Sequence, residues 1–276
     1  MSFSTIKFAT CAALAAALLG DVGGQPASAA TCMGKCGVLG ADGDVVAPPV
    51  GSTYGYISTF GGVDGAGQLS SVGGTDGSAF TTSMFTATAG QNLQYQFNFV
   101  TSDGQNGPGT FIYEDYASVQ LVDAASGSLV AMLFNARTEP AGLIVPGTGL
   151  PPIDPGVTLT PSTVPITLGS GANGGPLWSP LGAYSGECWG PGCGYTGWVQ
   201  SDYTVAASGN YKLVFGVSNW GDNIYDTGLA YAGLRIGDVP IDDDVPEPAI
   251  WAMMLIGFGA LGANLRKHRR IAVLAA

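Results

Sequence analysis

The stretch Leu93-Gln94-Tyr95-Gln96-Phe97-Asn98-Phe99-Val100 alternates large apolar side chains with polar ones. Successive residues of a strand face opposite sides. Leu93, Tyr95, Phe97 and Phe99 therefore share one face, and Gln94, Gln96 and Asn98 the other, the pattern of a half-buried strand. Working outward, shorter runs of the same kind lie at 80–88, 117–122, 129–135, 198–205, 211–218 and 230–236, with a weaker one at 158–168. Clusters of Gly, Asp, Asn and Ser separate most of them, as in Asp103-Gly104-Gln105-Asn106-Gly107 and Ala207-Ser208-Gly209-Asn210. Such residues build turns, each by its own local chemistry. Eight or nine strands so punctuated predict an all-β domain, an antiparallel β-sandwich of the jelly-roll-like kind. Strand alternation begins at Tyr54. The segment 30–51 reads as a loose leader, and the Pro- and Gly-rich segment 138–180 as an excursion over one edge of the sandwich.

Composition narrows the partners. Between residues 30 and 244 there are eighteen acidic residues and four basic ones, Lys35, Arg137, Lys212 and Arg235. Phosphate binding needs Lys and Arg, so a nucleic-acid partner is excluded, as is an anionic lipid surface. Divalent cations and neutral sugars remain compatible, and the acidity also serves solubility. Glycine is abundant but has no fixed period, which excludes collagen.

The two ends have their own logic. Lys7 precedes an apolar run at 8–19 that is too short to span a bilayer. Small residues follow and end in Ala27-Ser28-Ala29, so residues 1–29 read as a signal peptide cut by signal peptidase after Ala29. At the other end, Val245-Pro246-Glu247-Pro248 precedes an apolar stretch at 249–265, long enough for a transmembrane helix. A basic cluster of Arg266, Lys267, Arg269 and Arg270 then holds the last residues on the cytoplasmic side. Two prolines keep Glu247 on an extended backbone suited to a protease cleft, and Trp251 stands where an indole prefers the membrane boundary. The result is a chain of three parts: signal peptide 1–29, ectodomain 30–244 and tail 245–276.

The run from Pro246 to Gly259, with Pro246, Glu247, Pro248 and Trp251 in place, closely resembles the PEP-CTERM sorting signal in its PEPxxWA form. The resemblance implies processing by an exosortase, a membrane cysteine protease-transpeptidase, and an ectodomain released or attached at the envelope. An ordinary tail anchor would share the same topology. A second likeness covers the ectodomain. Its aromatic strand into Thr-Ser-Asp-Gly, then Asp-Tyr-Ala, Asn-Trp-Gly-Asp and Asp-Thr-Gly-Leu-Ala is similar to the β-rich, functionally unassigned domains that precede such tails.

Chemistry-bearing residues are few. The one histidine, His268, lies in the basic tail, so the ectodomain holds no Ser-His-Asp or Cys-His arrangement. Glu114, Asp115, Glu139 and Glu187 are the carboxylates a glycosidase or lyase acting on matrix polysaccharide would draw on. Asn219, Asp222, Asn223 and Asp226 bring carboxylate and amide oxygens to one loop in a manner suited to Ca²⁺, and equally to ordinary turns. The indoles of Trp178, Trp189, Trp198 and Trp220 offer flat faces for sugar rings, or plugs for the ends of the core. Export favours the disulfides Cys32–Cys36 and Cys188–Cys193 over the alternative, a four-thiolate zinc site. The expectation is a non-catalytic envelope or extracellular-matrix protein that binds exopolysaccharide and Ca²⁺, with the polysaccharide-degrading enzyme as the other class.

Replacing Glu247 with Ala is expected to leave export intact and block tail removal. Electrophoretic size and cell fractionation read this directly; an unchanged size and location would mark an ordinary anchor.

Overall fold

The computed structural model describes residues 29–104, 113–138 and 144–241. The sorting motif, the apolar stretch with its basic cluster, and Glu139 lie outside the described residues. So does the expected signal peptide apart from Ala29. Among the described residues, no helix is long and apolar enough to cross a membrane.

Fifteen strands are present among the described residues: β1 (Thr31–Met33), β2 (Lys35–Leu39), β3 (Tyr54–Ser58), β4 (Val63–Asp64), β5 (Asp76–Thr81), β6 (Phe85–Ala87), β7 (Asn92–Thr101), β8 (Tyr116–Asp123), β9 (Leu129–Arg137), β10 (Val157–Thr160), β11 (Gly194–Tyr195), β12 (Val199–Thr204), β13 (Gly209–Ser218), β14 (Thr227–Ile236) and β15 (Val239–Pro240). They form two antiparallel sheets. The first runs β1-β5-β13-β8-β9, with β4 on β5 and β6 on β13. The second runs β10-β12-β7-β14-β3-β2, with β11 on β7 and β15 on β14. The only helical elements among the described residues are two short 3₁₀ segments, Ala172–Gly174 and Ser179–Tyr184.

The sheets face each other across an aromatic core. Leu93, Tyr95, Phe97 and Phe99 are fully buried on the inner face of β7, as their alternation predicts. Tyr231 of β14 stacks on Phe80 of β5 at 5.2 Å and on Phe215 of β13 at 4.4 Å, so one ring spans both sheets. Phe97 meets Phe134 of β9 at 4.0 Å. Each such side chain taken from water stabilises the fold by about 1.5–3 kcal/mol.

Three departures from the sequence reading have physical causes. The segment 30–51 is not loose: β1 joins the first sheet through β5, and β2 joins the second through β3. The Cys32–Cys36 disulfide therefore clips one sheet to the other. The run 80–88 is not one strand. It breaks between β5 and β6, and both pieces pair with β13. Finally, the supposedly wet face of β7 is covered near its C-terminal half, where Gln96 and Asn98 are buried.

The expected excursion supplies that cover. Trp178 and Leu181 pack with Val45, Tyr54, Tyr56 and Val100 in a second, smaller core on the outer side of the second sheet. Trp178 lies so close over Gly228 of β14 that an added Cβ there would stand 2.4 Å from the indole, which only glycine permits. Its Nε1 donates to Tyr54 Oη at 2.9 Å. The N-terminal segment holds the excursion down: the Asp44 carboxylate accepts the amides of Ser170 and Leu177, and Asp42 accepts that of Ser179.

Trp178→Ala is expected to destabilise the domain by about 3–5 kcal/mol, through the cavity left over β14 and the lost Tyr54 bond. Equilibrium urea unfolding checks the magnitude.

Candidate functional site

One end of the sandwich gathers the polar chemistry. In the antiparallel register Thr227 at the start of β14 faces Thr101 at the end of β7, and Ser218 at the end of β13 faces Tyr116 at the start of β8. The chain segments beyond those four residues must therefore meet. They are 102–104, 113–115 and 219–226, and they carry Asp103, Glu114, Asp115, Asn219, Asp222 and Asp226. Asp103 and Glu114 are 1 % exposed, Asp115 0 % and Asp226 4 %.

Backbone bonds lock these segments together. Ser102 N and Oγ both donate to the Asp226 carbonyl, at 3.1 and 2.8 Å. Thr138 Oγ1 donates to the Asp103 carbonyl at 2.8 Å. Trp220 N donates to Asp115 Oδ1 at 3.1 Å, and Thr59 Oγ1 to Asp226 Oδ1 at 3.0 Å. The amides of Asp115 and Gly104 donate to the Asp103 carboxylate. Asn219 is fully buried, and its Nδ2 donates to Asp76 Oδ1 at 3.0 Å.

Burying carboxylates together penalises their charged forms. Burial, reinforced by Asp222 and Glu114, pushes Asp103 up to about 9. Burial and then Asp103 hold Asp115 well above the usual carboxylate range. Burial raises Asp226 to about 6, against the opposing Thr59 hydrogen bond. Asp222 is raised by burial and by Asp76. The buried cation beside them is Arg137, whose guanidinium lies over the rings of Tyr116 and Trp220 at 5.4 and 5.2 Å. Burial lowers its pKa, while Glu114, Tyr116 and Asp115 oppose that shift.

Beside this buried cluster lies an aromatic platform whose indole is exposed and whose two tyrosines are half-buried. Tyr184 and Tyr225 stand 4.7 Å apart at 31°, and Trp189 and Tyr225 5.5 Å apart at 35°. Trp189 is 42 % exposed. It sits in the turn closed by the Cys188–Cys193 disulfide, and its N–H donates to the Ser102 carbonyl at 2.9 Å. Gly104 packs against that turn so tightly that an added Cβ would come within 2.2 Å of the Trp189 carbonyl. Tyr225 adopts φ +61°, a left-handed conformation rare for so large a side chain. Such strain persists only where the surroundings enforce it.

Asn219, Asp222 and Asp226 come together around Asp76, while Asn223 is exposed on the loop. Glu114 and Asp115 join Asp103 in the buried cluster, whereas Glu187 is exposed. All four ectodomain cysteines are in the two favoured disulfides. Of the four tryptophans, Trp178 is buried, and Trp198 is tied to the Val46 carbonyl and packed edge-on to Tyr54. Trp220 is half-buried under Arg137, leaving Trp189 as the open face. Sequence reading missed Asp76, Asp103, Tyr184 and Tyr225 as site members. The one available signal was the Asp-Gly and Asn-Trp-Gly-Asp turns flanking aromatic strands.

The chain is thus an exported-type protein: a disulfide-clipped, two-sheet β domain followed by a sorting tail. Residues 244–270 match the family model of the PEP-CTERM protein-sorting motif, so the chain carries that sorting signal. The motif implies an exosortase as processing partner and export to the cell envelope or surface. No curated protein and no solved structure matches the chain.

The acids predict the pH response of the metal-free protein. Each has a folded pKa above its unfolded value, so its contribution to stability is complete below about pH 4 and is lost as pH rises through the folded value. In chelator, the melting temperature is expected to fall between about pH 5 and 9, and Asp103→Asn to flatten that slope. Calorimetric scans across this range test it.

Proposed function

We propose that this is a non-catalytic envelope or extracellular-matrix protein whose ectodomain binds exopolysaccharide on the Tyr184–Tyr225–Trp189 platform. The observation that carries this reading is three adjacent rings, one of them an exposed indole, fixed on a disulfide-closed turn and a strained tyrosine. Flat aromatic faces stack on the apolar faces of pyranose rings, and a rigid platform loses little entropy on binding. The domain's acidity favours a neutral or cation-bridged glycan over a strongly anionic one. The signal peptide, the transmembrane helix and a place in biofilm matrix belong to this same reading.

The non-catalytic reading draws support from burial. Glu114 and Asp115 are closed off from solvent, where no glycosidic bond reaches them. Asp115, held well above the usual carboxylate range by burial and by Asp103, lies beside Asp103, itself pushed up by burial.

A glycan array followed by titration calorimetry on a responding polysaccharide tests the platform. Trp189→Ala is expected to weaken binding at least tenfold. Tyr225→Gly should do the same while changing stability by no more than about 1 kcal/mol, because relief of the left-handed strain offsets lost packing. A blank array leaves only a structural role. Polysaccharide turnover that Glu114→Gln abolishes would establish the enzyme instead.

A further inference from the structure

Three oxygens of the buried cluster, Asp103 Oδ2, Asp115 Oδ2 and Asn219 Oδ1, lack a hydrogen-bond partner among the described residues. Each belongs to a side chain at most 1 % exposed. Buried polar atoms are ordinarily satisfied, and an orphaned one costs about 1–3 kcal/mol. Three in one neighbourhood mark a place for a ligand. The Asn219 amide is oriented by its Nδ2, which donates to Asp76 Oδ1, so Oδ1 is the end turned away from that bond, and Asn219 immediately precedes Trp220, whose backbone N–H donates to Asp115 Oδ1.

Once the two acids ionise, all three atoms are acceptors, and a positive ligand satisfies them together. Arg137 is one guanidinium against four buried carboxylates, and it is spread over two rings and the Thr148 carbonyl. The donor set is oxygen throughout, with no thiolate or imidazole, which selects a hard cation over a transition metal. Ca²⁺ accepts six to eight oxygens in flexible arrangement, and carbonyls or waters readily complete such a shell, whereas Mg²⁺ demands near-ideal octahedral geometry. Among the described residues, no three acidic side chains already enclose a common point. The set required here does not ask for three.

We propose that a divalent cation of the Ca²⁺ class binds between the carboxylates of Asp103 and Asp115, with the Asn219 amide oxygen as third protein ligand. Asp222 and Asp226 add negative potential around it. The ion thereby joins the segments after β7, before β8 and after β13. Because Ser102 carries the Trp189 turn and Asp226 follows Tyr225, occupancy also stiffens the aromatic platform. The site stands independently of what the platform binds.

Two carboxylates predict the weak affinity of extracellular modules, a Kd of about 0.1–1 mM. Purified protein, stripped with chelator, is titrated with CaCl₂ by calorimetry and thermal melting. One saturable site and a raised melting temperature are expected. Asp103→Asn and Asp115→Asn should each remove both responses, and Asp64→Asn on the exposed strand β4 should change neither. Terbium reports location by a separate route, since Trp220 beside Asp115 sensitises its emission. Trp220→Phe is expected to reduce that emission severalfold while Ca²⁺ still binds. The proposal is overturned by a flat wild-type titration, by binding that survives both Asn variants, or by terbium emission that Trp220→Phe leaves unchanged.

Discussion

Tyr231 touches Phe80 and Phe215 of the opposite sheet, and Phe215 in turn meets Tyr95 edge-on at 5.9 Å. This four-ring contact sets the spacing and relative position of the sheets. Phe80 lies on β5, Phe215 on β13, Tyr95 on β7 and Tyr231 on β14, all interior strands of their respective sheets. β1, β4, β6 and β8 pair directly with β5 or β13, and β3, β11, β12 and β15 with β7 or β14. With few Lys or Glu side chains to build helical surfaces, the chain relies on this shared aromatic layer and on ladder hydrogen bonds for its cohesion.

A stiff core makes the polar end possible. Four buried carboxylates repel each other, and a loosely packed frame would open to let water in. Here the flanking strands are fixed by register, and the Thr101 and Thr227 hydroxyls meet at 2.7 Å immediately below the acids. The repulsion is instead absorbed chemically, by raised pKa values and by Arg137. The same frame holds Tyr225 in its left-handed conformation. Buried acids and the aromatic platform are thus two faces of one set of loops, both maintained by the strands that lead into them.

Much of the fold was legible. β7 declared itself through aromatic alternation, and β8, β9, β12, β13 and β14 through shorter apolar runs bounded by turns. Among the strands that escaped notice, β4, β11 and β15 are two residues each, and β1 and β2 read Thr-Cys-Met and Lys-Cys-Gly-Val-Leu, too short and too mixed for period-two patterning to show. Gln96 and Asn98 were assigned to solvent correctly by alternation and wrongly by circumstance, because Trp178, some eighty residues later, folds over that face. The site was legible only in pieces. Turn segments around Asp103, Glu114 and Asn219 stood out individually, yet which of them meet depends on strand order, and strand order is a long-range property that local pattern does not encode.

The last described residue also fixes a distance. Ile241 is buried, and its amide donates to the Leu234 carbonyl, so the folded body extends to that point. Only four residues, Asp242 to Val245, then separate it from Pro246, a reach of at most roughly 18 Å even at full stretch. A sorting enzyme that takes up the Pro-Glu-Pro segment must do so within roughly 18 Å of the folded body. The ectodomain therefore acts as a bulky neighbour at the cutting site, and its compactness limits the approach angles open to the protease.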